Sequence, residues 1–135
     1  ASRMGDRMPV HATSSGKCIL AFLPGSERDR ILESLVLAPL TPNTTTSIDV
    51  LLSELAVVGK QGYAVNDEER VMGLCGIAAP VFDHVGNAIA AISVAIPKGV
   101  MPECSMDQVI QATLRSAEML TSRLGGVQRH VATGP

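Results

Sequence analysis

The run Ser14-Ser15-Gly16-Lys17 is where this sequence comes nearest to a ligand-binding device. A helix beginning here presents unpaired N–H groups and the positive end of the helix dipole. Gly16 allows close approach to the backbone, and two small serine side chains leave room for a carboxylate. Each charge-assisted hydrogen bond at such a place contributes about 1.5–3 kcal/mol before desolvation. An ordinary helix cap uses the same residue types. A nucleotide P-loop is excluded, because His11 stands where that motif needs glycine. Ser93 is the second candidate. It lies within an apolar strand and shares a face with Ile89, Ala91 and Ala95, so its hydroxyl needs a backbone or ligand partner. Cys75 and Gly76 point to opposite sides of another strand. Gly76, like Ala95, opens space over a strand surface, unless it marks a bulge.

Three other groupings admit chemistry less readily. Asp67-Glu68-Glu69 reads either as paired carboxylates or as a solvated turn with at least one acid directed inward. His11 with Ser14 or Ser15 suggests a hydrolytic triad, but there is no GxSxG elbow and a serine in a helix cap is not activated, so no enzyme is expected. Cys18, Cys75 and Cys104 are scattered, without a CxxC pair, and His11, His84 and His130 lie far apart, so neither a metal nor a cofactor is expected. Cys18 falls on a helix's apolar stripe and reads as a small core residue.

Composition narrows the partners. Eleven Lys and Arg against thirteen Asp and Glu give a net charge of −2, which disfavours phosphate-driven nucleic-acid binding. Two Phe, one Tyr and no Trp exclude a platform for stacking bases. No apolar run is long enough to span a bilayer and no hydrophobic signal core opens the sequence, so a cytoplasmic protein is expected.

The 135 residues suit one α+β domain. A helix is predicted over Ser14–Leu23, capped by Ser14 or Ser15 and stopped by Pro24-Gly25. Ser26 is expected to cap a second helix that turns Ile31, Leu32 and Leu35 inward. After a loop over Pro39–Ser47, which contains Thr44-Thr45-Thr46, a third helix starts at Ile48 with Leu51, Leu52, Leu55 and Val58 at helical spacing and Gly59 and Gly62 near its end. Leu74–Phe82 and Ala88–Ile96 flank Asp83–Asn87 as a hairpin, both strands apolar enough to be covered on both faces. Pro80 places its missing donor at an edge or a bulge. A last helix follows the capping-box pattern Ser105-Met106-Asp107-Gln108, with Val109, Ile110, Leu114, Ala117, Leu120 and Leu124 as its stripe and Gly125-Gly126 as its stop.

Several of these segments together resemble the isocitrate-lyase-regulator (IclR) family of transcriptional regulators. The resemblance rests on Gly62–Glu69, Gly73-Leu74, Ile77–Asp83, Gly86 and Ala90–Val94, with Arg7–Lys17 similar to the family's pocket-lid region. It runs in register from Arg7 to about Gly125. It implies a GAF-like (profilin-like) effector-binding domain over residues 1–126, lacking its first strands, and a flexible tail over residues 127–135. The winged helix-turn-helix DNA-binding domain is absent from this stretch. The family's ligand pocket maps onto Met8, Ser14, Ser15, Asn66, Leu74, Gly76, Ser93 and Ala95. Met8 and Leu74 would supply apolar wall, the N–H groups around Ser14 and Ser15 would take a carboxylate, and Asn66 and Ser93 would orient the ligand. Implied partners are a small organic acid or related metabolite, a second copy or three further copies of the chain, and DNA only through the missing domain. The alternative is a dimerisation domain with a vestigial pocket. Three positions depart from the family pattern: Asn66 replaces an acidic residue or Ser, Gly76 replaces Cys, Ser or Ala, and Ala95 lacks a hydroxyl. The cysteine stands one place early, at Cys75, which turns its thiol to the other face of the strand.

Overall fold

The structure, a computed structural model, describes residues 3–103 and 105–129. Cys104, His130 and the rest of the expected tail lie outside the described residues. A 3-10 turn at Val10–Ala12 leads into α1 (Ser14–Phe22), α2 (Gly25–Ser34) and α3 (Ile48–Gln61). Strands β1 (Ala64–Asp67), β2 (Leu74–Phe82) and β3 (Ala88–Pro97) follow, and α4 (Met106–Arg123) is the last helix. The strands form one antiparallel sheet in the order β1-β2-β3, so the architecture is α+β.

Helix ends follow local chemistry, with three changes from expectation. Thr13, not Ser14 or Ser15, caps α1: its Oγ1 accepts the Gly16 N–H at 3.2 Å. The extended backbone of Thr13 is the geometry this role requires, whereas both serines are already helical. Pro24 precedes α2 and no side chain caps that helix, because Ser26 lies inside it. Ser105 occupies the N-cap position of α4, yet its side chain makes no capping hydrogen bond. The end of α3 is as expected, with Gly62 at φ 86° and its N–H donating to the Val58 carbonyl.

The sheet is covered unequally. β2 is central and buried along nearly its whole length, with α1 on one face and α4 on the other. β3, expected to be covered on both faces, is largely open: Ile89, Ser93, Val94 and Ala95 are exposed. It is an edge strand, and α1 and α4 reach only part of its two surfaces. Pro80 sits in the central strand without harm. Leu74 accepts from the Glu68 N–H on the β1 side, so Pro80, six residues on, faces the same way. The β1–β2 pairing ends at Ala64↔Ala78, and the missing donor lies beyond it.

Three apolar clusters hold the layers together. Cys18, Phe22, Val58, Ala64, Ala78 and Phe82 fill the space under α1, with the Phe22 and Phe82 rings edge to face at 5.5 Å. Leu20, Leu32, Leu51 and Leu55 join the first three helices. Ala79, Val81 and Ala117 pack α4 onto β2. The buried stripe of α4 differs from the expected one: Ile110, Thr113, Ala117 and Thr121 face the sheet, while Leu120 and Leu124 are exposed. Each threonine is satisfied. Thr113 donates to the Val109 carbonyl, and Thr121 Oγ1 accepts the Phe82 N–H at 3.2 Å. A flat row of small residues lets helix and sheet approach closely, which bulkier leucines would prevent. Past α4, the Val127 N–H donates to the Asp83 carbonyl at 2.8 Å, anchoring the start of the tail on the hairpin turn.

Candidate functional site

Strand register assembles the site floor. Asn66 pairs with Gly76 and Gly76 with Ala95, making one cross-strand row; Ala78 and Ser93 stand in the next. Because side chains alternate along a strand, Leu74, Gly76, Asn66, Ser93 and Ala95 all share the face that α1 covers. The start of α1 overhangs that face. Ser14, Ser15 and Met8 close a cavity of about 420 Å³ together with the five floor residues, so the eight sequence candidates line one space. Its volume falls within the range of small-molecule pockets. Gly76 shows no bulge; the only shift in the hairpin register lies at Val81/Phe82.

Two residues that line this space carry backbone donors without protein partners among the described residues. Gly16 donates to Thr13 Oγ1 and Lys17 to the Thr13 carbonyl, and the N–H groups of Ser14 and Ser15 have no hydrogen bond among the described residues. Two parts of the Ser14–Lys17 reading need correction. Gly16 is required for packing rather than ligand approach, since a Cβ there would stand 2.4 Å from the Val10 carbonyl oxygen. Lys17 turns away from the cavity and is buried, its ammonium on the Glu69 carboxylate and 2.9 Å from Glu54.

Sequence reasoning passed over Arg70, which also lines the cavity and is half-buried. The turn that presents it is held from every side. Glu69 sits on Lys17, and its N–H donates to Asn66 Oδ1 at 2.9 Å. Thr41 and Thr44 donate to the Glu68 and Glu69 carbonyls. Glu68 adopts φ 56°, unusual for a non-glycine residue, and is fixed there by Lys98 and by the Gly73 N–H. Asp67-Glu68-Glu69 is thus a turn with two of its acids directed inward rather than a pair for acid–base work. Glu68 and Glu69 are buried struts, and Asp67 alone is exposed. The available signal for Arg70 was its place beside these acids, but nothing local says which way it points.

Asn66 has one end committed: its Oδ1 serves Glu69, and only its amide N–H₂ remains for a ligand. Cys75 points to the far face, where its thiol donates to Asp67 Oδ1 at 3.2 Å. Burial and that carboxylate raise the Cys75 pKa, and burial alone pushes the Cys18 thiol up to about 12. Both are protonated and unreactive at neutral pH. His11 makes no hydrogen bond to either serine among the described residues. It is buried, with Nε2 2.9 Å from the Ala38 carbonyl. Among the described residues, no three His, Cys, Asp or Glu side chains cluster to hold a metal. Nor is any described helix long and apolar enough to cross a membrane.

This architecture is that of bacterial transcriptional regulators. Residues 1–122 match the family model described as "Bacterial transcriptional regulator IclR C-terminal", and the chain belongs to the IclR family. It is 39% identical over 106 residues to the probable transcriptional regulator SauR of Cupriavidus necator, covering 78% of this chain and 41% of that one. It is 35% identical over 124 residues to the HTH-type regulator KdgR of Escherichia coli, covering 92% and 47%. The chain therefore spans less than half the length of these relatives. Among solved structures, the Thermotoga maritima IclR aligns with a TM-score of 0.86 at 36% identity, covering 93% of this chain and 51% of that one. The inducer-binding domain of a PobR double mutant from Acinetobacter, solved with 3-hydroxy benzoic acid, aligns with a TM-score of 0.79 at 33% identity, covering 88% and 69%. These relatives are transcriptional regulators.

Proposed function

We propose that this chain is the effector-sensing domain of an IclR-type regulator and that its cavity binds a small organic acid. The observation that carries the reading is that cationic Arg70 lines one cavity together with Ser14 and Ser15, whose N–H groups have no partner among the described residues. A carboxylate between them gains a guanidinium fork and two aligned donors. Met8, Val71 and Leu74 supply apolar wall, while Ser93 and the Asn66 amide orient the remainder of the ligand. The PobR domain solved with a hydroxybenzoic acid supports this ligand class.

Binding switches transcription only if the ligand prefers one arrangement of subunits over another. The full protein accordingly works in the cytoplasm as a homodimer or homotetramer, and it contacts DNA through a domain outside this chain. Titration calorimetry against a panel of small carboxylates tests the reading. At least one acid is expected to bind saturably, and Ser93→Leu, which fills the cavity from an exposed strand position, should abolish that binding with little change in melting temperature. Silence across the panel, or binding indifferent to Ser93→Leu, would overturn it.

A further inference from the structure

A second cavity of about 250 Å³ lies at the other end of β2, among α1, the end of α3, α4 and residues 128 and 129. Its apolar lining comes from Phe22, Phe82 and Leu114, the two rings meeting edge to face. Its polar rim carries Arg115 and Arg129, and among the described residues neither guanidinium lies within ion-pair distance of a carboxylate. Glu118, one turn along α4 from Arg115, also opens into it. The Gln128 Oε1 atom is buried and has no donor among the described residues. A buried amide oxygen without a partner is costly, so such groups mark places where a donor belongs.

The rim is held in place by the fold. A Cβ on Gly126 would stand 2.0 Å from the Phe82 carbonyl oxygen, so the chain crosses β2 at the closest approach a residue allows. The Gly126 and Val127 N–H groups donate to the Thr121 and Asp83 carbonyls. The Arg129 stem then lies 4.0 Å from where a Gly86 Cβ would stand.

We infer that this cavity is a second ligand site, for a small carboxylate that carries an apolar group and an N–H donor. The carboxylate sits on Arg115 and Arg129, whose planar forks suit it. The apolar group rests on Phe22 and Phe82, and the N–H meets Gln128 Oε1, with Glu118 beside it. The volume limits the ligand to about the size of one acylated amino acid.

Calorimetry on the full-length protein with N-acetyl-L-phenylalanine tests the site, with N-acetyl-L-phenylalaninamide as the probe lacking a carboxylate. The acid is expected to bind saturably in the millimolar range or below, and the amide at least about tenfold more weakly. Arg115→Ala should weaken the acid by about tenfold or more, Gln128→Leu should weaken it severalfold, and Arg70→Ala should leave it unchanged. Absence of saturable binding, equal binding of the amide, or an affinity that follows Arg70 rather than Arg115 would overturn the inference. The last of these places the probe in the cavity under Ser14 and leaves the sensing proposal standing.

Discussion

Ser14 Oγ lies 2.9 Å from the point where a Cβ on Gly76 would stand, so the helix that roofs the cavity and the strand that floors it touch across a missing methyl group. The Gly76→Ala substitution forces the Ser14 side chain aside and narrows the cavity. We expect ligand affinity to fall about tenfold while the melting temperature changes by only a few degrees, because lower chain entropy in the unfolded state offsets part of the strain. Adding Ser14→Ala should restore part of the affinity. Calorimetry and thermal melts on the two variants check this.

Arg70 separates the ligand's carboxylate from its apolar part. Arg70→Ala should weaken acid binding by about tenfold to a hundredfold. Stability should shift by no more than about 0.5 kcal/mol, since among the described residues the Arg70 guanidinium makes no ion pair that holds the fold. An uncharged ester of the same acid should bind the wild type and Arg70→Ala equally. Paired titrations of acid and ester measure the difference.

Lys17 is a strut rather than a ligand contact. Lys17→Met leaves the Glu69 and Glu54 carboxylates facing each other without a cation. The expected loss is about 3 kcal/mol, at the low end for a broken buried pair because the Glu54 side chain is 34% exposed. Combining Lys17→Met with Glu69→Gln should recover part of it. Urea unfolding of the single and double variants checks both values.

Thr121 holds α4 to the sheet through the Phe82 N–H. Thr121→Val keeps the shape and removes the acceptor, stranding a buried donor at a cost of about 1–3 kcal/mol. Faster amide exchange at Phe82, with a lowered melting temperature, is the expected signature.

Acid should weaken the fold through three carboxylates. The Cys75 thiol and then Lys98 hold Asp67 below its ordinary 3.8, and Lys98 with the Gly73 N–H holds Glu68 below 4.5. The Asn87 and Val85 N–H groups hold Asp83 below 3.8. A depressed carboxylate stabilises the folded state above its unfolded value and loses that contribution as pH falls through the folded one. Stability should therefore be level above about pH 5 and decline as pH drops through the ordinary carboxylate range. Asp83→Asn should flatten part of the decline in urea midpoints measured against pH.

Local rules made much of this protein legible from its residues. Helical spacing in Leu51, Leu55 and Val58, the glycine that ends α3, and the turn between two apolar runs each depend on neighbours within a few positions, and α3 and the hairpin lie where those rules put them. Alternation along one strand likewise put Ser93 and Ala95 on one face, and the family resemblance mapped Met8, Ser14, Ser15, Asn66, Leu74 and Gly76 to the cavity that they line. Choices made by distant partners could not be read this way. Lys17 turns inward because Glu69 lies 52 positions further on, and that ion pair leaves Arg70 to face the cavity. Thr121 takes a place on the buried face of α4 while Leu120 and Leu124 stay exposed, because its hydroxyl accepts the Phe82 N–H that only three-dimensional packing supplies. Side-chain periodicity is a property of one element. The direction of a charge or the tolerance of a buried hydroxyl belongs to a pair, and tertiary structure alone brings the pair together.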